Sequence, residues 1–214
     1  MKNIHQLIRI AWIAAIFSVL LSGVAAADAI SYKITVNTSS IAGQTGYLDF
    51  SLLPSPLDSQ YATVDILNFT TDGTVSADDP IWTGDASGTL PGTISLDNAT
   101  LFNDYFQDFT FGSTITFDVN LGGPALTAPN GTASGGTTFT FGMYADDGVT
   151  PLLTTSPDGE ALRVDVNLDG STTVTTYPAD ASGAPPAVYV PEPASLSLLA
   201  SGAFGMLFFR RRRQ

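Results

Sequence analysis

Apolar and polar side chains alternate with a period of two through much of this chain, the pattern of strands buried on one face only. In Thr114-Ile115-Thr116-Phe117-Asp118-Val119, residues Ile115, Phe117 and Val119 share one face. Phe139, Phe141 and Met143 repeat the pattern, as do Leu48, Phe50 and Leu52, and, in a shorter version, Tyr32, Ile34 and Val36. The polar partners are largely threonines, whose β-branching suits a pleated surface. Turn signals fall between the runs: Asp72-Gly73, Pro91-Gly92, Gly122-Gly123-Pro124, Asn130-Gly131, Asp147-Gly148, Asp158-Gly159 and Asp169-Gly170. Strands of about five to eight residues so punctuated predict an all-β fold, a two-sheet antiparallel sandwich of jelly-roll-like form. Residues 96–109 are the one soluble stretch that suggests a short helix. No repeat of fixed period is visible, which argues against a solenoid or propeller.

The two ends read differently. Residues 1–27 follow the layout of a secretory signal helix: Lys2 and Arg9, an apolar run over 10–21 broken only by Ser18, then Ala25-Ala26-Ala27. Ala25 and Ala27 supply the small residues at a signal peptidase site, placing the cut before Asp28; a cut after Ala29 also fits. Near the other end, Pro191-Glu192-Pro193 leads into an uncharged run over 194–209, followed by Arg210, Arg211, Arg212 and Arg213. As a helix that run spans about 24 Å, short of a hydrocarbon core of about 30 Å. Snorkelling arginine stems make up the difference, so a transmembrane helix over 194–209 is expected, with the arginines as cytoplasmic anchors. Cationic ends held inside and a body held outside give one consistent topology. The domains expected are a signal peptide (1–27), an all-β extracellular domain (28–177), a Pro/Ala/Gly-rich linker (178–189) and a tail (190–214).

Pro191-Glu192-Pro193, the short apolar helix with glycines, and the terminal arginine cluster together resemble the PEP-CTERM sorting signal. The resemblance implies recognition by exosortase, a membrane-embedded cysteine protease-transpeptidase of Gram-negative bacteria that make exopolysaccharide. It would process the chain near that motif and release the ectodomain or transfer it to a surface acceptor. The precursor would be anchored in the inner membrane with its ectodomain outside the cytoplasm, and the product would reach the cell surface or extracellular matrix. The segments 32–40, 46–50 and 102–106 are similar to a recurring ectodomain family of PEP-CTERM proteins, which carries no established activity onto these residues.

Composition narrows the chemistry of the middle. Between Asp28 and Val190 stand 19 acidic residues and two basic ones, Lys33 and Arg163, a net charge of −17. Nucleic-acid binding draws on clustered Lys and Arg, so a DNA or RNA partner is excluded. The ordinary meaning of the acidity is solubility; its sharper meaning is cation binding. There is no cysteine, and the one histidine, His5, lies in the signal segment. Ser-His-Asp and Cys-His nucleophiles and thiolate or histidine metal sites are thereby excluded from the mature domain. Lys33 sits in an alternating strand and reads as a solvated side chain.

Three candidate chemistries remain. Asp165, Asn167 and Asp169, with Gly170, match the opening of a calcium loop, but position twelve is Thr176 where a bidentate Glu belongs. The stronger reading of that stretch is a hairpin turning at Asp169-Gly170, with Leu162, Val164, Val166 and Leu168 facing the core. Trp82, with Tyr61, Tyr105 and Tyr144, offers stacking surfaces for sugar rings or ordinary packing. Asp104 and Asp108, flanking Tyr105 and Phe106, are the best carboxylate pair for a hydrolase. No catalytic residue is assigned and no enzyme is expected. The expected function is an exported structural protein of the cell surface or exopolysaccharide matrix, processed by exosortase. A carbohydrate-binding module, calcium-assisted or needing no cofactor, is the second reading, and a surface glycoside hydrolase the third.

Overall fold

A computed structural model describes residues 30–191, apart from Leu57 and Ser182. The expected signal helix with Ala25 and Ala27, the transmembrane helix over 194–209, Glu192, Pro193 and Arg210, Arg211, Arg212 and Arg213 lie outside the described residues. Within them, no helix is long and apolar enough to cross a membrane.

Thirteen strands carry the fold: β1 (Ile30–Asn37), β2 (Thr45–Pro54), β3 (Thr63–Thr71), β4 (Thr74–Val75), β5 (Ile81–Thr83), β6 (Ala86–Gly88), β7 (Ile94–Asp97), β8 (Asn103–Thr110), β9 (Thr114–Gly122), β10 (Thr137–Ala145), β11 (Glu160–Val166), β12 (Thr172–Thr176) and β13 (Ala187–Pro191). Two short helical turns, Ser39–Ile41 and Pro124–Thr127, interrupt them. One sheet has six strands in the order β13-β1-β9-β3-β7-β6. The other has seven, β12-β11-β10-β2-β8-β4, with β5 also paired to β8. All pairings are antiparallel. The long strands alternate between sheets along the chain: β1, β3 and β9 in one, β2, β8 and β10 in the other.

The period-two pattern places the core. Ile34, Val36, Ile115, Phe117 and Val119 from the first sheet meet Leu48, Phe50, Leu52, Phe139, Phe141 and Met143 from the second, all buried. Phe50 crosses the interface, its ring 5.2 Å from Phe117 in edge-to-face contact and 5.1 Å from Phe141. Aromatic pairs at such distances add to the free energy of burying the rings. One buried polar side chain ties the two sheets together. Asn98 accepts from Ala62 N–H (2.9 Å) and donates to Gln60 O (3.0 Å) and Thr137 Oγ1 (2.7 Å), tying the end of one sheet to β10 of the other.

Two expectations need correction. Residues 96–109 form no helix: β7 ends at Asp97 and β8 starts at Asn103. Both strands pair with long neighbours, and tertiary pairing overrides a weak local signal. The linker expected over 178–189 is partly strand, and the folded module, expected to end at 177, runs on to Pro191. Residues 187–191 show no alternation, but the exposed edge of β1 offers them a ladder from Val36↔Ala187 to Tyr32↔Pro191.

The hairpin at Asp169-Gly170 forms, with Leu162, Val164 and Val166 buried as expected; Leu168 is a correction, for it sits in the turn beyond the last pair of the ladder and is 40% exposed. β11 and β12 pair from Leu162↔Thr176 to Val166↔Thr172. Asn167 N–H donates to Ser171 O at 2.8 Å, and Gly170 takes φ +80°, a left-handed position that glycine occupies without strain.

Candidate functional site

Alternation leaves the second face of each central strand turned away from the core. On the seven-stranded sheet a groove of about 620 Å³ opens there. Asp49 and Ser51 of β2, Thr138 and Thr140 of β10, and Arg163 of β11 line its floor, and Leu101 and Phe102 stand along one side, both exposed. A bulge between Phe141 and Gly142 brings Glu160 opposite Gly142. A side chain at 142 would meet the ring of Tyr144 at 3.1 Å, so glycine there lets Tyr144 lie over the strand.

The floor holds a carboxyl pair. Ser51 lies opposite Asp104 in the β2–β8 register. Its Oγ is 2.9 Å from Asp49 Oδ1 and 3.1 Å from Asp104 Oδ1. Asp104 is buried. Burial, then the hydrogen bond to Asp104 and its charge, push Asp49 far above the usual carboxylate range, to about 8. Asp49 therefore holds a proton at neutral pH and can donate it to Asp104. Glu160, also buried, accepts from Ser156 Oγ at 2.7 Å. Arg163 is committed to Asp165, with Nη2 2.8 Å from Oδ1.

Beside this pair runs an aromatic ridge. Tyr47 stacks on Phe106 with ring centroids 4.5 Å apart and planes 14° from parallel, and Phe106 lies 6.0 Å from Tyr144. The charge of Asp108 and its hydrogen bond to Tyr47 raise that phenol above its ordinary value. Tyr144 is pushed up to about 12, first by burial and then by Asp49 and Glu160. Both phenols stay neutral and able to donate hydrogen bonds.

The sequence candidates fall in several places. Asp104 and Asp108 share the outer face but do not act on each other: Asp104 faces Asp49, and Asp108 faces Tyr47. Trp82, on β5 and 41% exposed, lies outside the groove lining and donates its indole N–H to Gly88 O at 2.9 Å. Tyr105 is core; its hydroxyl donates to Gln107 and accepts from Leu90 N–H. Tyr61 is exposed just before β3 of the other sheet and donates to Asp97 at 3.1 Å. Only Tyr144 of the four reaches the groove. The three calcium candidates are engaged separately. Asp165 holds Arg163 and Thr138, Asn167 donates to Ser171 and Thr173, and Asp169 accepts from Ser171. Among the described residues no group of three or more Asp, Glu, His or Cys is placed to hold a metal ion.

Asp49, Tyr47 and Phe106 escaped the sequence reading because each is the outward member of an alternating strand. The usable signal was register: pairing β2 with β8 sets Asp49 opposite Phe106 and Tyr47 opposite Asp108.

Val190 and Pro191 lie in β13, at the edge of the six-stranded sheet, and the sorting tail continues from them. No curated protein and no solved structure matches the chain. Residues 190–213 match the PEP-CTERM protein-sorting motif, a match that does not extend to the ectodomain segments. The chain thus carries, over residues 190–213, the sorting signal of PEP-CTERM proteins.

Proposed function

We propose that this is an exported, exosortase-processed protein of the cell surface or exopolysaccharide matrix, and that its ectodomain holds a polysaccharide segment in the groove of the seven-stranded sheet. The sorting motif supports export and surface placement. The groove carries the binding half of the reading: hydroxyl and carboxyl groups on its floor suit sugar hydroxyls, and Tyr144, backed by the stacked Phe106 and Tyr47 rings, offers a ring face for stacking. Asp158 and Glu160 give its lining negative character while Arg163 is spent on Asp165, so the glycan it fits is neutral or amine-bearing. The geometry favours binding over glycoside hydrolysis. Hydrolytic carboxyl pairs stand about 5 Å or more apart to flank the glycosidic bond, whereas Asp49 and Asp104 are in hydrogen-bond contact. The reading calls on no cofactor.

The test is retention of the processed protein on the host's exopolysaccharide, with and without chelator. Retention that survives chelation and is lost in Tyr144→Ala supports the groove; a wild-type protein that is not retained removes the binding half of the reading.

A further inference from the structure

Strand β13 occupies the outermost position of its sheet, and the sorting-motif match begins inside it: residues 190 and 191 belong to both. The ladder to β1 spans five residue pairs, from Val36↔Ala187 to Tyr32↔Pro191, and Asn37 N–H adds a bond to Pro186 O at 2.9 Å. Tyr189 sets its ring edge-to-face on Tyr32, with centroids 5.7 Å apart. Tyr32 is itself buried, and its hydroxyl is 2.6 Å from Thr172 Oγ1 of β12. The side-chain hold is nevertheless thin. Ala187 is the one buried residue of β13, while Val188, Tyr189 and Val190 are 51%, 40% and 63% exposed.

Two residues, Glu192 and Pro193, separate β13 from the uncharged run that starts at Ala194. Fully extended they reach about 7 Å. An enzyme in the membrane that processes the chain near Pro191-Glu192-Pro193 therefore works at the rim of the folded sheet. Enzymes that take a peptide as an extended strand pair with its backbone. One backbone edge of residues 187–191 is already held by β1.

We infer that β13 must leave β1 before the Pro191-Glu192-Pro193 segment can be processed, so that the ectodomain's own sheet edge limits the sorting enzyme's access. This rests on reading residues 190–213 as a processed sorting signal. A peripheral strand with one buried side chain belongs to the least stable layer of a native structure, and it can detach while the sandwich stays folded. When detachment is faster than cleavage, the processing rate follows the population of the detached form. Partial burial of the strand then slows release without preventing it.

The chain has no cysteine, so a single engineered pair gives an unambiguous lock. Thr35 and Val188 face each other in the ladder, and neither is buried. Facing residues of antiparallel strands have Cα atoms about 4.5–5.5 Å apart, within disulfide reach. The full-length chain is expressed in the exporting host, and processing is followed by pulse-chase and by mass analysis of the mature C-terminus. Thr35→Cys/Val188→Cys, once oxidised, is expected to be processed at least about tenfold more slowly than either single-cysteine variant, and a reductant restores the rate. Equal rates for locked and unlocked chains overturn the inference. Tyr189→Ala provides an independent arm that needs no disulfide. By removing the ring contact with Tyr32 it should speed processing about threefold; an unchanged or slower rate overturns the inference. A wild-type chain that is never processed removes the sorting reading and this inference together, whereas normal wild-type processing with an ineffective lock removes this inference alone.

Discussion

The carboxyl of Asp49 on β2 is hydrogen-bonded to the carboxyl of Asp104 on β8, and burial first, then that bond and the charge of Asp104, push Asp49 far above the usual carboxylate range. The pair sets a pH dependence whose sign follows from the direction of the shift. Asp49 is raised from 3.8 to about 8 in the folded protein. Its contribution to stability is therefore present in full below about pH 4 and is lost as the pH climbs through about 8. Asp49→Asn keeps a donor toward Asp104 and cannot ionise. The variant should match wild type near pH 4 and exceed it by a growing margin as the pH rises to 8 to 9. Urea unfolding across that range reads the difference directly.

Asp72 gives the opposite limb. It accepts from Ser113 Oγ and, at 2.9 Å, from the backbone N–H groups of Ser113 and Thr114, pinning the turn after β3 to the start of β9. These bonds, Ser113 Oγ first, lower its carboxyl to about 2. Its stabilisation is present above about pH 4 and lost as the pH falls through about 2. Asp72→Ala should lower the thermal midpoint at pH 6, and the gap to wild type should close as the pH approaches 2.

Phe50 joins the two sheets through Phe117 and packs beside Phe141 of its own sheet. Phe50→Ala leaves a cavity at the centre of the sandwich and should cost about 3–5 kcal/mol of unfolding free energy. Denaturant titration followed by far-ultraviolet circular dichroism measures it. A loss below about 1 kcal/mol would show that the two sheets do not depend on this contact.

The aromatic ridge and the exposed indole make different demands. Tyr144→Ala should weaken retention on the host polysaccharide about three- to tenfold, and Phe106→Ala, which removes the ring packed against Tyr144 from outside the groove lining, should weaken it by less. Trp82→Ala should leave it unchanged, because that indole is outside the groove. Affinity electrophoresis in polysaccharide-containing gels separates the three variants.

What could be seen in the sequence was what depends on one strand at a time. Ile115, Phe117 and Val119 announce β9 by alternation alone, and Asp169-Gly170 announces its hairpin because only a turn uses that pair so well. Features that depend on two strands stayed hidden. Asp49 is an ordinary outward polar residue until β8 brings Asp104 beside it, and Asp104 was paired in the sequence with Asp108, its neighbour along the strand, when its true partner lies across the ladder. Residues 187–191 sit in a Pro- and Ala-rich stretch, and only the free edge of β1 makes a strand of them. The 96–109 stretch failed for the same reason, since β7 and β8 take their conformation from the sheets they join.

Placement of charge is the foundation of the functional reading: a strongly acidic body outside the membrane, and an arginine-ended tail that serves as a sorting signal and is then removed. The direct measurement is the intact mass of the protein recovered from the cell surface or medium. The expected mass ends close to Pro191-Glu192-Pro193 and lacks Arg210, Arg211, Arg212 and Arg213. A full-length C-terminus at that destination, or a body that stays inside the cell, would contradict it.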